Sequence, residues 1–544
     1  MKQLNNYFNK KTVSIVALLI IIIMIGNLFS IWPIRFIESI VDLAQQGNVN
    51  NINLILIYGF IYLLFQLVGT FSKALCSYLS AYLQTDISIR IQNKLYSKLL
   101  KVSLIALHGE NSVEITNSLI EDSEYVSNNL VSPITKLISS IVHFVIALIF
   151  MLNISPMLTL IILPCGLVTS LTARIISNKS EKNISEKRNK SSYLWKVFVE
   201  GIKGIIPIRL YRYQKNYNDI VINANNQIKK IILTQRKLTD LSYFLVSTLF
   251  MFTIGIIMIF SAIFVVNGYI TIGSLTAVMM YNHMLVDPLI EILDIQQNLI
   301  KLKVSLGRIN SLFSLPNDDN TDKNIVNVDK IILSNLSYTY GGNDYIFDKI
   351  NIEISSPCNL CIMGESGSGK TTLANIIASL YTPSSGSVKY FNKGYEVDGI
   401  PNIGYLIQDG YLFDKSIIDN IKIANPKLKT EDIENIIKIC CLEDVIDIHK
   451  NIPIGENGNH LSGGEKKRVR IAQMLANDKA DVYIFDELTS SLDELTSNKI
   501  TNNIFNLNLN KICIFIEHDK KMMKLFDKLM FVKDKNIIVN SNQV

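Results

Sequence analysis

Long runs of residues without charge fill the first half of this chain of 544 residues. A helix needs about 20 mostly apolar residues to cross a bilayer. The first run, residues 12–34, lacks a small-residue cleavage site and is too long for a cleaved signal peptide. Residues 325–544 instead mix charged and apolar residues as a soluble domain does. The sequence therefore predicts a membrane domain followed by a soluble domain.

Six membrane spans are expected in an all-α transmembrane domain over residues 1–312. Turn-forming residues divide the two longest runs, at 153–156 (Asn-Ile-Ser-Pro) and at 267–269 (Asn-Gly-Tyr), each into a pair of helices. The predicted spans are residues 12–34, 52–85, 137–152, 156–176, 241–266 and 272–296.

The distribution of lysine and arginine predicts the orientation of these spans. The N-terminus and the segments 90–101 and 174–237 are rich in both residues, whereas the short opposite loops have almost none. Basic loops stay in the cytoplasm, so both termini are expected there. The bias toward Ile, Asn and Lys is typical of an AT-rich bacterial genome, which predicts a bacterial cytoplasmic membrane protein. Turns near residues 103–111 and 211–217 are candidates for docking onto the soluble domain; solvated helical hairpins are the alternative.

Ionisable side chains inside a span are costly and therefore indicate function. Asp287, Glu291 and Asp294 recur at spacings of four and three, which places them on one face of the sixth helix. We predict that this face lines a cargo cavity that favours cationic or amphipathic molecules. Alternatively, the last two of these side chains lie in cytoplasmic water or pair with basic residues. The other ionisable side chains in the spans are Lys73, His143 and His283.

A phosphate-binding loop is predicted from Gly364 to Thr372, which fits the pattern G-x-x-x-x-G-K-[ST]. The loop follows an apolar run typical of a buried strand and precedes a helical run. In this context backbone N–H groups face the phosphates of a nucleotide, Lys370 reaches the terminal phosphates, and the Thr371 hydroxyl ligates Mg²⁺. A glycine-rich turn without a ligand is the alternative. The predicted ATP-binding residues are Gly364, Glu365, Ser366, Gly367, Ser368, Gly369, Lys370, Thr371 and Thr372.

Three further stretches carry candidate chemistry for ATP hydrolysis. The apolar strand 482–487 ends in Asp486, a candidate Mg²⁺ ligand, and Glu487, which would polarise the attacking water. Residues 461–465 precede a helical run and could bind an anion there. His518 follows the strand 512–516 and could contact a γ-phosphate.

Composition argues against two other classes of site. The formal net charge of +6 is modest, and much of the Lys and Arg lies in the predicted cytoplasmic segments, so nucleic acid is not the implied partner. Cys358 and Cys361 form a C-x-x-C pair, but on a strand that feeds the phosphate loop they are expected to be small buried hydrophobic residues rather than zinc ligands.

The order of these motifs resembles the nucleotide-binding domain of ATP-binding cassette (ABC) proteins, and the whole chain is similar to their half-size exporters. The resemblance implies an α/β P-loop NTPase domain with a helical subdomain over residues 325–544, after a linker at 313–324. Residues 454–458, just before the signature sequence, resemble a loop of exporters. The implied roles are adenine stacking for Tyr340, Mg²⁺ sensing for Gln408, the signature for Leu461, Ser462, Gly463, Gly464 and Glu465, the D-loop for Ser490 and Asp493, and the switch for His518.

Three stretches of the sequence depart from the pattern of this family. Glu465 replaces the usual Gln, Leu488 replaces Ala or Pro, and residues 517–519 read Glu-His-Asp where Ala-His-Arg is common. None of these changes removes a phosphate ligand or the predicted base Glu487, so we expect a competent site.

The resemblance also implies a dimer and a transport function. In the family, ATP lies between the phosphate loop of one subunit and the signature of the other, which implies a homodimer or, alternatively, a heterodimer with a second half-transporter. The expected function is export of a peptide such as a bacteriocin, or of an amphipathic compound, by alternating access with ATP and Mg²⁺. A lipid or glycolipid flippase is the alternative, and a nucleotide-gated channel or sensor is disfavoured by Glu487 and His518. Self-catalysed cleavage of leader peptides is not expected, because no domain with a Cys and His pair precedes the first span.

Overall fold

A computed structural model describes residues 10–110, 112–341, 344–450, 452–507, 510–517, 520–533 and 535–541. The chain forms two compact units. The first takes in the residues up to Leu100 and those from Asn111 to Ser314, and the second takes in Lys101–Glu110 and Leu315–Val544.

Helices account for almost all of the described residues before Leu315. They are α1 (Lys10–Ile31), α2 (Ile34–Gln45), α3 (Ile52–Leu99), α4 (Leu104–His108), α5 (Ser112–Asn117), α6 (Ser123–Ile154), α7 (Pro156–Lys203), α8 (Ile205–Leu210), α9 (Gln214–Val266) and α10 (Ile272–Ser314).

Four helical segments of the described residues are long and apolar enough to cross a membrane: Lys10–Gln45, Val49–Leu99, Ser112–Ile154 and Gln214–Val266. Large apolar side chains on α3 at positions 56, 60, 63, 67 and 71 are exposed and share one helical face. Such a face suits contact with lipid. The predicted spans 156–176 and 272–296 fall on α7 and α10, whose side chains are described only in part.

Small residues let α1 and α3 pack closely. A Cβ atom at Gly26 would lie 2.7 Å from the Cβ of Ser72, and one at Gly69 would lie 2.7 Å from the Oγ of Ser30. Close approach of helix backbones through small residues is a common way to associate helices in membranes. The Asn27 amide then donates to the Ser139 hydroxyl at 3.1 Å, which connects α1 to α6.

Carboxylates of α2 cap the start of α10. Asp42 accepts hydrogen bonds from the Gly273 N–H and the Thr271 hydroxyl, both at 2.8 Å. Glu38 accepts one from the Ser274 hydroxyl at 2.6 Å. Negative charge at a helix N-terminus is favourable because the unpaired N–H groups and the helix dipole are positive there.

The second unit contains a six-stranded sheet, a four-stranded sheet and a pair of short strands. The strands are β1 (Ile325–Val326), β2 (Lys330–Tyr338), β3 (Phe347–Ser355), β4 (Cys358–Gly364), β5 (Ser385–Asn392), β6 (Tyr395–Val397), β7 (Ile400–Pro401), β8 (Ile403–Leu406), β9 (Val482–Asp486), β10 (Ile512–Ile516), β11 (Lys528–Lys533) and β12 (Asn536–Ser541). The helices are α11 (Lys370–Ile377), α12 (Ile417–Ile421), α13 (Thr430–Ile439), α14 (Glu443–His449), α15 (Gly463–Leu475) and α16 (Glu494–Asn506).

The six-stranded sheet has the order β12-β11-β4-β10-β9-β8 and is parallel except for the β11–β12 pair. Strands β9 and β10 are buried along their whole length and are apolar except for Asp486 at the end of β9, as expected for parallel strands covered on both faces. Side chains of β10 alternate between two apolar clusters, with Phe515 in one and Ile514 in the other. The carboxyl ends of β4, β10 and β9 therefore meet at one edge of the sheet.

The predicted fold class is confirmed, because a helical membrane domain is followed by an α/β domain. Four helices, α12 to α15, lie between β8 and β9 and correspond to the predicted helical subdomain. Helix α15 begins at Gly463, earlier than the predicted helical run after residue 465, because the side chain of Ser462 caps it.

Residues 101–110 contact the linker of the second unit, and they include α4. Val102 forms an antiparallel bridge with Asn317, and the Ser103 N–H donates to the Pro316 carbonyl at 3.0 Å. Lys101 also pairs with Asp322 at 2.6 Å. The first candidate turn for docking, residues 103–111, thus lies largely in the second unit, whereas residues 211–217 belong to the first unit.

Candidate nucleotide-binding and catalytic site

The phosphate loop lies between the end of β4 and the start of α11, at the carboxyl edge of the central sheet. Gly369 has a φ of +105°, and a Cβ atom there would lie 2.6 Å from the Ile346 side chain. Gly367 also has a positive φ of +81°. Glycine is needed at such positions because other residues rarely adopt them. These turns leave the first N–H groups of α11 at the mouth of the loop, where an anion can bind.

Lys370 is almost fully buried and folds back over this loop. Its Nζ donates to the carbonyls of Gly364 at 3.0 Å and Glu365 at 2.8 Å. Burial lowers the pKa of Lys370, and the nearby carboxylates of Asp486 and Glu487 oppose that effect. The ammonium group is therefore held within the loop that is predicted to bind phosphates.

The two predicted oxygen ligands of Mg²⁺ are in contact. The Thr371 hydroxyl donates to the Asp486 carboxylate at 3.0 Å, although the residues are far apart in sequence. Burial raises the pKa of Asp486, and the hydrogen bond from Thr371 opposes the rise. A hydroxyl and a carboxylate are hard oxygen donors of the kind that Mg²⁺ prefers, so these residues fit the ion.

Gln408 lies beyond this pair, in the loop after the edge strand β8. Its side chain is exposed, and its backbone carbonyl accepts a hydrogen bond from Arg470 at 3.3 Å. The structure does not bring its side chain to Thr371 or Asp486 among the contacts of the described residues. On the same strand, the Tyr405 hydroxyl donates to Asn375 of α11 at 3.0 Å. Sequence reasoning missed this link.

An aromatic cluster holds Tyr340 beside the phosphate loop. The Tyr340 hydroxyl is 2.9 Å from the Thr372 hydroxyl, and its ring is 53% exposed. Tyr338 and Tyr381 stack on each other at 5.9 Å, and both contact Tyr340 edge to face. An exposed ring fixed in this way is suited to stacking on a nucleotide base. Tyr381 was missed in the sequence because it lies far from Tyr340 along the chain.

Glu487 begins a tight turn directly after β9. Its φ of +53° is left-handed, which is unusual for a residue other than glycine. Its N–H donates to the carbonyl of Ile516 on β10 at 3.0 Å, and its carbonyl accepts from the Ser490 hydroxyl, also at 3.0 Å. We call residues 487–490 the Glu487 turn. Asp493, which follows the turn, caps α16 by accepting from the Thr496 N–H at 2.9 Å.

The signature residues form the start of α15. The Ser462 N–H donates to the Glu465 carboxylate at 2.7 Å, and the Glu465 N–H donates back to the Ser462 hydroxyl at 3.4 Å. This reciprocal pair is a capping box. The hydrogen bond from the Ser462 backbone lowers the pKa of Glu465. Glu465 therefore serves the helix as Gln would, but it adds a negative charge.

The rest of the signature packs against neighbouring loops. Leu461 is buried in an apolar cluster, and a Cβ atom on Gly464 would lie 3.1 Å from the carbonyl of Ser491, next to the predicted D-loop residue Ser490. Gly463 has open space around it. The exporter-type loop lies nearby, where the Gly455 N–H donates to Asp414 at 2.9 Å.

Some predicted residues lie outside the described part of the structure. His518 is one of them. The backbone of Asp287, Glu291 and Asp294 belongs to α10, but their side chains are not described. The switch and the cargo cavity therefore stay predictions.

Comparison with known proteins decides the family. The profile of the ABC transporter transmembrane region matches residues 13–289, and the profile named ABC transporter matches residues 347–490. The chain belongs to the ABC transporter family. It is a half-transporter of the exporter type, and its enzymatic activity is that of an ATPase coupled to transport.

Curated relatives of this ABC transporter cover most of its length. It is 28% identical to the lactococcin-G-processing and transport ATP-binding protein of Lactococcus lactis, over 90% of this chain and 70% of that protein. It is 26% identical to an alpha-hemolysin translocation ATP-binding protein of Escherichia coli, over 94% and 73%. It is 25% identical to an ATP-dependent lipid A-core flippase of Wigglesworthia glossinidia brevipalpis, over 87% and 83%.

A solved structure shares the fold of this ABC transporter. A bacterial Atm1-family ABC exporter with ATP bound superimposes with a TM-score of 0.84 and 17% sequence identity, over 97% of this chain and 94% of that one. At this identity the comparison supports the fold and not the cargo.

Proposed function

We propose that this ABC transporter uses ATP to export a peptide, such as a bacteriocin, or an amphipathic compound by alternating access. The observation that carries the ATP-driven step is the hydrogen bond between Thr371 and Asp486, which joins the phosphate loop to the end of β9. Relatives named for lactococcin G and for alpha-hemolysin support a peptide as cargo.

The residues at this edge of the sheet have separate roles in ATP hydrolysis. Lys370 and the loop N–H groups bind the phosphates, and Tyr340 stacks on the base. Thr371 and Asp486 would hold Mg²⁺, which would neutralise charge on the phosphates, and the resemblance to the family implies that Gln408 joins them when nucleotide is bound. Glu487 orients and polarises the attacking water. His518 contacts the γ-phosphate.

A second chain completes each site in this proposal. One chain carries one phosphate loop and one signature, and the resemblance to the family places them in the same site only when they come from different subunits. We therefore propose a homodimer, with a heterodimer as the alternative, in which ATP binding closes the soluble domains and the membrane helices follow. We also propose that the protein lies in the bacterial cytoplasmic membrane with both termini in the cytoplasm.

A lipid or glycolipid flippase is the second candidate function. It is favoured by the similarity to the lipid A-core flippase, which covers a comparable share of the chain. Vectorial transport in proteoliposomes, measured with a peptide, a labelled lipid and a cationic dye, separates the two. Transport of the lipid alone would overturn the peptide proposal.

Replacement of the predicted base should stop ATP hydrolysis without preventing ATP binding. Glu487→Gln keeps the size of the side chain but removes its ability to accept a proton, so we expect kcat to fall by about 100-fold or more. Turnover and binding of a fluorescent ATP analogue would be measured on the purified full chain. Glu431→Gln, at an exposed position in the first turn of α13, is the matched control. Hydrolysis that persists in the Glu487→Gln protein would refute the assigned role.

A further inference from the structure

Glu517 is a buried carboxylate without a role in the ATP hydrolysis proposed above. It lies directly after β10 and is 4% exposed. Strand β10 is the last of the three central strands in sequence, but it lies between β4 and β9 in the sheet. Glu517 is therefore placed between the strand that leads to the phosphate loop and the strand that leads to the Glu487 turn.

The carboxylate of Glu517 binds the backbone of the Glu487 turn. Its Oε1 accepts a hydrogen bond from the Leu488 N–H at 2.9 Å, and the Thr489 N–H also interacts with the carboxylate. The backbone of Glu517 donates to the carbonyl of Ile362 on β4 at 3.4 Å. One residue thus connects the turn after β9 to the strand that leads to the phosphate loop.

These contacts explain how the backbone of Glu487 keeps an unfavourable conformation. A left-handed φ at a residue other than glycine persists only when the surrounding structure enforces it. Successive N–H groups in a turn of this kind form a concavity that binds anions. In this protein the anion is supplied internally by Glu517, and it is bound by the two residues that follow Glu487.

We propose that Glu517 is a positioning residue for the predicted base, because its carboxylate accepts the Leu488 N–H and so fixes the backbone of Glu487. This inference rests on the proposed role of Glu487 in ATP hydrolysis. Glu517 acts through the backbone and is not itself placed in contact with ATP.

The charged surroundings of Glu517 fit this role. Lys467 of α15 is buried, attracts Glu517, and donates from Nζ to the Asp486 carbonyl at 3.1 Å. Burial raises the pKa of Glu517 to about 7, the two N–H groups and Lys467 oppose the rise, and the Glu487 carboxylate adds to it. Cys361 of β4 also faces Glu517. A neutral side chain that keeps the acceptor oxygen should therefore still hold the turn.

Two of the departures from the family pattern meet in this contact. Proline at position 488 would have no N–H to donate, and alanine at position 517 would have no acceptor. The chain has Leu488 and Glu517 instead, and the two form a hydrogen bond across 29 positions of sequence.

The test compares two substitutions of similar volume in the full-length protein in lipid nanodiscs. Glu517→Met removes the acceptor, so we expect kcat for ATP to fall by about 10- to 100-fold while KM stays within about threefold. Glu517→Gln keeps an acceptor and should retain kcat within about fivefold of the wild type. If the Met variant is not recovered folded, Leu488→Pro removes the donor from the other partner, and the same loss of kcat is expected.

Asp481 provides a matched control at the opposite end of β9. It is also buried, accepts from the Val328 N–H at 3.0 Å and pairs with Lys511 at 2.8 Å. Asp481→Leu should lower thermal stability but leave kcat within about twofold. The proposal would be overturned if kcat of the Glu517→Met protein lay within twofold of the wild-type value. It would also be overturned if kcat fell by the same factor in Glu517→Met and in Asp481→Leu. Hydrolysis that persists in Glu487→Gln would instead overturn the proposed function, so the two failures are distinguishable.

Discussion

At the scale of single residues, the site combines ionisable side chains whose pKa values are shifted by burial. Lys370 and Lys467 both have lowered pKa values, and Asp486 and Glu517 have raised ones, with burial as the main cause in each case. Each charge is opposed by a neighbour of the opposite sign. Removing a positive member of such a set leaves buried carboxylates unpaired in a place that water does not reach, which is costly.

The raised pKa of Glu517 predicts a pH-dependent stability. The folded protein binds the carboxyl proton of Glu517 more tightly than the unfolded chain does. Glu517 therefore contributes most to the free energy of unfolding below its ordinary pKa of 4.5, and this contribution is lost as the pH rises to about 7. The difference corresponds to about 3 kcal/mol. Glu517→Gln removes this titration. We expect the variant to melt at a higher temperature than the wild type at pH 8 and at a similar temperature at pH 5.

Differential scanning calorimetry of the purified protein at both pH values would measure this difference. Asp481→Asn is a suitable comparison, because it also removes a buried carboxylate of the same domain. A constant offset between Glu517→Gln and wild type at all pH values would contradict the assignment.

At the scale of elements, the contact between α2 and α10 depends on the absence of a side chain. A Cβ atom at Gly273 would lie 2.2 Å from the carbonyl of Glu38 and 2.6 Å from the carboxyl group of Asp42. These atoms belong to the backbone and to the capping carboxylate, so they cannot move away cheaply. The predicted turn at 267–269 is therefore followed by the N-terminus of α10, which is in close contact with α2.

Gly273→Ala should separate α2 from α10 and break the cap. We expect the melting temperature of the purified protein to fall, with a cost of about 1 to 3 kcal/mol from the clash and the lost cap. Gly307→Ala on the same helix is the control, because a Cβ atom there has nothing within 4 Å, and alanine favours a helix by up to about 1 kcal/mol. Equal melting temperatures for the two variants would show that Gly273 does not lie in close contact with α2.

At the scale of the whole molecule, the composite site predicts complementation between inactive chains. Lys370→Ala disables the phosphate loop, and Ser462→Arg blocks the signature. If each site combines residues of two chains, a mixed dimer has one intact site of two, and the ATPase activity of the purified mixed dimer should return to roughly half of the wild-type value.

Coexpression with two affinity tags, followed by ATPase assays on the doubly purified dimer, would measure this recovery. The same variants mixed after separate purification serve as the control for subunit exchange. Activity no higher than that of either single variant would argue against a site shared between two copies of this chain.

The sequence by itself determined the elements whose signals are local. A phosphate loop is a short contiguous pattern, and apolar runs and basic loops mark membrane helices because each reports on its own stretch of chain. Strand β10 begins and ends where its apolar run does, and β9 extends only to Asp486 beyond its run, because parallel strands buried on both faces need no alternation. The capping box at Ser462 and Glu465 is also local, although the signature was assigned without it.

Only the tertiary structure decided which distant residues meet. Residue 517 could be matched to 488 only once β10 was seen to lie between β4 and β9, and strand order depends on packing between elements far apart in sequence. The same is true of Lys467 beside Asp486 and of Tyr381 beside Tyr340. The sequence shows which side chains can do chemistry, and the non-local contacts determine which of them act together.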